Sequence, residues 1–171
     1  MPMKYVLPLL VFASPAWAMC NAGEETFMSC QIAGSAKFLE VCFDDKHATY
    51  SFGKAGQVPE LTLQTTLAAL DYRPWNATGT AIVEEVVFYN KNYAYAVRVG
   101  YERPWGEELY EDVPHRNFGG VTAFRGDRII LDMDCDRASV EFTWDVLLFE
   151  AKEALGLTWD DRALKWVALP D

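Results

Sequence analysis

The sequence predicts a mainly β protein: an antiparallel meander closing into a small barrel or sandwich, with one or two C-terminal helices. Three observations carry this. Short β-branched and aromatic runs broken by turn residues fill the chain from 27 to 134. Six Trp, eight Tyr and ten Phe supply large side chains for a core. Only after 143 do apolar residues take helical spacing.

The N-terminal stretch reads as an address. One charge, Lys4, precedes the apolar run YVLPLLVF and the tail ASPAWA. A short apolar core ending in Ala16, Trp17 and Ala18 predicts a secretory signal over 1–18, cut after Ala18. The run is shorter than the ~18–20 residues that span a bilayer. Lipidation of Cys20 requires a small residue before it, and Met19 is large, so Cys20 is expected as a thiol. Removing eighteen residues from 171 leaves 153, which suits a single β-rich domain over 19–171, periplasmic or secreted.

The first strands, FMSCQI and KFLEVCF, form a hairpin turning at Gly34 and Ser35. A two-residue turn sets Phe27 opposite Cys42 and Cys30 opposite Leu39. Cys20, Cys30, Cys42 and Cys135 are an even set, which in an exported chain favours two disulfides. Their spacing is no zinc pattern, and His47 and His115 are too distant in sequence to complete one, so neither metal nor cofactor is expected. Three pairings are open. The register favours Cys20–Cys42, which leaves Cys30 for Cys135.

ATYSFG follows as a strand ended by Gly53 to Gly56, and ELTLQT makes another. ALDYRPWNATGT reads as irregular because Pro74 and Gly79 oppose a long element. The clearest hairpin is AIVEEVVFYNKNYAYAVRVGY. With Lys91 and Asn92 at the turn, Phe88 faces Tyr95 and Val86 faces Val97. GGVTAFRGDRIILDMDC turns at Gly126 and Asp127, with Leu131, Met133 and Cys135 alternating against Asp132, Asp134 and Asp136. The part from about 143 to 171 is expected to be helical. TWDVLLFEAKEALG places Val146, Leu147, Phe149 or Glu150, and Ala154 at helical spacing and stops at Gly156. Thr158 and Asp161 then resemble a capping box for a second short helix through WDDRALKW.

Charge narrows the partners. The net charge is −10, or −11 once Lys4 is removed, which repels nucleic acid and anionic lipid and attracts basic proteins. DMDCDRASVEFT opens like a calcium loop, yet its sixth and twelfth positions are Arg137 and Thr143 instead of Gly and Glu; outward-facing acids on a strand explain it. RGD at 125–127 reads as a turn, and His47 sits in a polar turn beside Asp44 and Asp45. No G-x-S-x-G elbow or phosphate-cradling loop occurs, so no catalytic residue is assigned. The segment 102–120 is far longer than a hairpin connection requires. Its Trp105, Glu107, Glu108, Tyr110, Glu111, Asp112 and His115 combine aromatic anchors with a charged rim, as a recognition loop does.

On ETFMSCQIAGSAKFLEVCFDDKHATYSFGKAG, EEVVFYNKNYAYAV and GGVTAFRGDRIILDMDC, the chain resembles a group of small exported proteobacterial β-proteins. These share a paired-cysteine hairpin, a Y-x-F-G strand, an F-x-N turn and a late G-V strand ending in cysteine. That resemblance implies location and architecture. In size, export and strand order the chain is also similar to the periplasmic and membrane-bound inhibitors of C-type lysozyme. The S-G-x-x-Y segment that carries their inhibitory residues is only partly echoed by ATYSFG around Tyr50, and no residue is carried over. The resulting expectation is an acidic periplasmic or secreted binding protein, an inhibitor or protective factor against a basic hydrolase such as a lysozyme. The alternatives are an envelope-glycan hydrolase using paired carboxylates, marked by a close pair of acids in a concave pocket, or a structural envelope protein.

Overall fold

Two runs of alternating residues become two antiparallel meanders. The structure, a computed structural model, describes residues 20–76, 79–102, 116–142 and 147–169. The first sheet is β1 (Glu25–Gln31), β2 (Lys37–Phe43), β3 (His47–Lys54) and β4 (Leu61–Thr66), neighbours in that order. The second is β5 (Asp71–Arg73), β6 (Ala81–Asn90), β7 (Tyr93–Glu102), β8 (Arg116–Arg125) and β9 (Arg128–Asp134), again in chain order. Their inner faces share one core. Leu39, Val41, Ala48 and Tyr50 come from the first sheet, and Tyr72, Val86, Phe88, Val97, Val99 and Val121 from the second. Rings meet across the gap, Tyr50 against Phe88 at 5.8 Å and Phe27 edge-on to Tyr72 at 6.2 Å. The arrangement is a sandwich.

The β6–β7 hairpin turns where alternation places it: Phe88 pairs with Tyr95, Val86 with Val97, and Lys91 takes a left-handed φ of 54°. In the first hairpin Cys30 does lie opposite Leu39, but a bulge between Thr26 and Met28 sets Thr26, not Phe27, against Cys42. The bulge has a packing reason. Phe27 and Met28 are consecutive and both buried, which strict alternation forbids. The disulfides are Cys20–Cys42 and Cys30–Cys135, the pairs the register favours. The second joins the two sheets at one edge. There Cys135 bridges to Ile32 beside β1, while its N–H donates to Gly119 O of β8 at 2.9 Å.

Three expectations need correction. β9 is an edge strand, and of the face assigned to Leu131, Met133 and Cys135 only Cys135 is fully buried; Leu131 stays 43 % exposed. The bulge between Ala123 and Phe124 leaves Ile129, Ile130 and Leu131 outside the core. A helix α1 (Leu147–Ala154) does precede Gly156, which has a φ of 76°, but it buries Leu148 and Lys152 and leaves Leu147 exposed. Lys152 is tolerated inside because its Nζ donates to the carbonyls of Leu67, Ala68 and Leu70 at 2.9, 3.3 and 2.9 Å. Finally, the helix expected through WDDRALKW is a hairpin, β10 (Leu157–Asp160) and β11 (Lys165–Ala168). Asp160 Oδ1 accepts from the N–H groups of Arg162 and Ala163 and closes the turn, so Thr158 lies in β10 and Asp161 in the turn instead of forming a capping box. Trp159 and Trp166 pair across the strands, and Trp166 stacks on Tyr72 at 5.8 Å while its Nε1 donates to Tyr72 O at 2.8 Å.

Candidate functional site: an acidic groove on the first sheet

The outward face of the first sheet carries a row set by register. Glu141 bridges to Ser29, Ser29 pairs with Glu40, and Glu40 pairs with Ser51. Paired residues lie on one face, so two carboxylates flank a serine with their backbones two strand spacings apart, roughly 9–10 Å. Next along the strands, Gln31 pairs with Phe38 and Phe38 with Gly53.

The row becomes the floor of a groove because two segments rise beside it. On one side the connection from β3 to β4 folds back over the sheet, anchored by Glu60 N–H donating to Phe52 O at 2.8 Å. Gly53 permits this approach, since a Cβ there would lie 2.9 Å from Glu60 N and 3.0 Å from Pro59 Cα. On the other side stand Ser139 and Glu141. Ser139 Oγ accepts from Gln31 N–H at 2.8 Å, and Ser29 Oγ donates to Glu141 Oε2 at 3.3 Å. The enclosed volume is about 540 Å³, with Phe38, Ala55 and Pro59 giving apolar walls.

Glu40 is the unusual group. Burial, and then the negative charges of Glu24 and Glu141, push its carboxyl up to about 7. A Glu40 carboxylate oxygen and the sulfurs of Cys20 and Cys42 all lie within 4.8 Å of one another. Those sulfurs are bonded to each other at 2.03 Å, so they offer no thiolate to a metal.

Four other acids serve structure. Asp132 and Asp134 accept from Arg98 at 3.2 and 2.7 Å, and Asp132 is held low by hydrogen bonds from Thr122 and then Arg98. Asp136 caps the 3-10 turn Arg137–Ser139. Asp44 accepts from the N–H groups of Lys46 and His47, which lowers its carboxyl and builds the turn beside His47. RGD is a hairpin turn with Gly126 at a φ of 58°. The residues proposed for the recognition loop, Trp105, Glu107, Glu108, Tyr110, Glu111, Asp112 and His115, lie outside the described residues. The groove was not assigned from sequence. Its one local signal is an acid, Glu40, set in the apolar strand KFLEVCF.

No family model, curated protein or solved structure matches the chain. The two disulfides belong to an oxidising compartment, and no helix among the described residues is long and apolar enough to cross a membrane.

Proposed function

We propose that the chain is an exported acidic binding protein whose groove on the first sheet receives a lysine or arginine side chain of a basic partner, with a lysozyme-type hydrolase as the partner class. One observation carries the reading. Glu40 and Glu141 line the same groove on a protein of net charge −10, beside apolar walls that suit the methylene stem of a long cation. Export follows from the predicted signal over 1–18 and from cysteine pairing, and the resemblance to the lysozyme inhibitors supplies the class of basic protein.

The test is titration of C-type lysozyme with the oxidised chain at low and high salt, beside Glu40→Gln and Glu141→Gln. Each substitution is expected to weaken binding by about 1–2 kcal/mol, roughly five- to thirtyfold in Kd, with the affinity of the unaltered chain falling as salt rises. Binding that ignores both salt and the two substitutions refutes the groove.

A second reading is favoured by the same pair. An acid titrating near neutrality beside a second carboxylate is the arrangement of glycoside hydrolysis, in which inverting enzymes hold their carboxyls ~6.5–9.5 Å apart. Release of reducing ends from peptidoglycan, abolished by Glu40→Gln, would select it over simple binding.

A further inference from the structure

The two disulfides differ in what surrounds them. Cys30 and Cys135 are buried at 1 % and 5 % exposure in the shared core. Cys20–Cys42 sits on the outer face of the first sheet. Cys42 is 6 % exposed and Cys20 is only partly covered. Cys20 Sγ lies 3.1 Å from Thr26 Oγ1, and the Glu40 carboxyl lies within 4.8 Å of both sulfurs. One bridge is thus open to a reagent from one end only and has an ionisable acid beside it.

From this placement we infer that Cys20–Cys42 is a thiol–disulfide exchange site, attacked at Cys20 by a low-molecular-weight or protein thiol, with Glu40 as the acid that protonates the departing Cys42. An incoming thiolate bonds to Cys20 Sγ, the Cys20–Cys42 bond breaks, and Cys42 leaves with the electron pair and takes the Glu40 proton directly or through one water. A second thiol of the reagent attacks the mixed disulfide and releases Cys20. The chain gains two electrons and two protons, and two reagent thiols become one disulfide.

Glu40 suits the role because burial and the charges of Glu24 and Glu141, the groups that act on it, keep it protonated to near neutrality. Thr26 Oγ1 is placed to donate to the Cys20 sulfur as charge develops. Glu40 serves both this step and the groove, but reduction by dithiothreitol needs no partner, so exchange and partner binding fail separately.

The experiment treats the oxidised full chain with dithiothreitol between pH 5.5 and 8.5, quenches with an alkylating agent and follows both bridges by peptide mass mapping. Taking the rate of Cys20–Cys42 relative to Cys30–Cys135 in the same sample cancels the ionisation of the reagent. The expected ratio is about tenfold or more below pH 7 and falls as Glu40 loses its proton. Glu40→Gln should lower the ratio at acid pH and flatten its profile. Glu141→Gln, which keeps the acid but removes a neighbouring charge, should move the fall to lower pH. Accessibility alone, even with the easier opening of the buried bridge as Glu40 ionises, predicts a ratio at pH 5.5 that is indifferent to Glu40→Gln. That result, or a mixed disulfide trapped on Cys42 instead of Cys20 in a parallel treatment with glutathione, overturns the assignment.

Discussion

Replacing Glu40 with Gln is expected to stabilise the protein, and only above acid pH. The folded state holds this carboxyl at about 7, against an ordinary value of 4.5. Between those values the native chain binds more protons than the unfolded chain, so stability falls as pH rises through the window. Full conversion of the difference gives roughly 3 kcal/mol at 1.36 kcal/mol per pH decade. Glu40 keeps partial contact with solvent, and screening reduces that figure to about 1–2 kcal/mol. Gln has the same shape and no charge to desolvate. Urea unfolding of both proteins, disulfides intact, should give equal stability near pH 4.5 and a gap opening towards pH 8. In thermal melts the gap corresponds to about 3–6 °C. A destabilised variant, or a difference constant from pH 4.5 to 8, would refute the reasoning, because it would mean that Glu40 is neither desolvated nor repelled by Glu24 and Glu141.

Removing the bridges in pairs should separate them by loop length. Cys30→Ala with Cys135→Ala opens a span of 105 residues and should cost about 5 kcal/mol, while Cys20→Ala with Cys42→Ala opens 22 and should cost about 3, both read by guanidinium unfolding. Lys152→Met leaves the carbonyls of Leu67, Ala68 and Leu70 without their buried donor. Relief of the burial that pushes the ammonium down to about 8 offsets part of that loss. A net destabilisation of about 1–3 kcal/mol at pH 7 is expected from urea unfolding, and an unchanged midpoint would count against the carbonyl cage.

Much of the sheet was legible because alternation is a strong signal over long strands. The β6–β7 register follows from placing the turn at Lys91 and Asn92, and the cysteine pairing follows from the first hairpin despite the bulge at Phe27. Where elements are short the signal fails. β10 and β11 have four residues each, too few to show a period, and Thr158 with Asp161 looks like a capping box until the cross-strand pair Trp159–Trp166 is seen. Lys152 could not be placed inside from sequence, since its carbonyl partners lie 82 to 85 residues away. The groove depends on similar distance: Glu141 and Ser29 are 112 positions apart, and Glu40 becomes perturbed only once that bridge and the 54–60 connection enclose it.

The two bridges interleave, because Cys30 lies inside the loop that Cys20 and Cys42 close. In a reduced, unfolded chain the nearest partner for Cys20 is Cys30, and a ten-residue span closes about threefold more often than one of 22. Oxidation that outruns folding therefore accumulates a non-native link from Cys20, ahead of β1, to Cys30 within it. The native set forms when the β1–β2 hairpin assembles first and points Cys30 inward and Cys42 outward, so that strand geometry, not chance encounter, sorts the sulfurs. Recovery from the reduced state should thus be governed by how quickly an isomerase or a thiol buffer erases that early mistake.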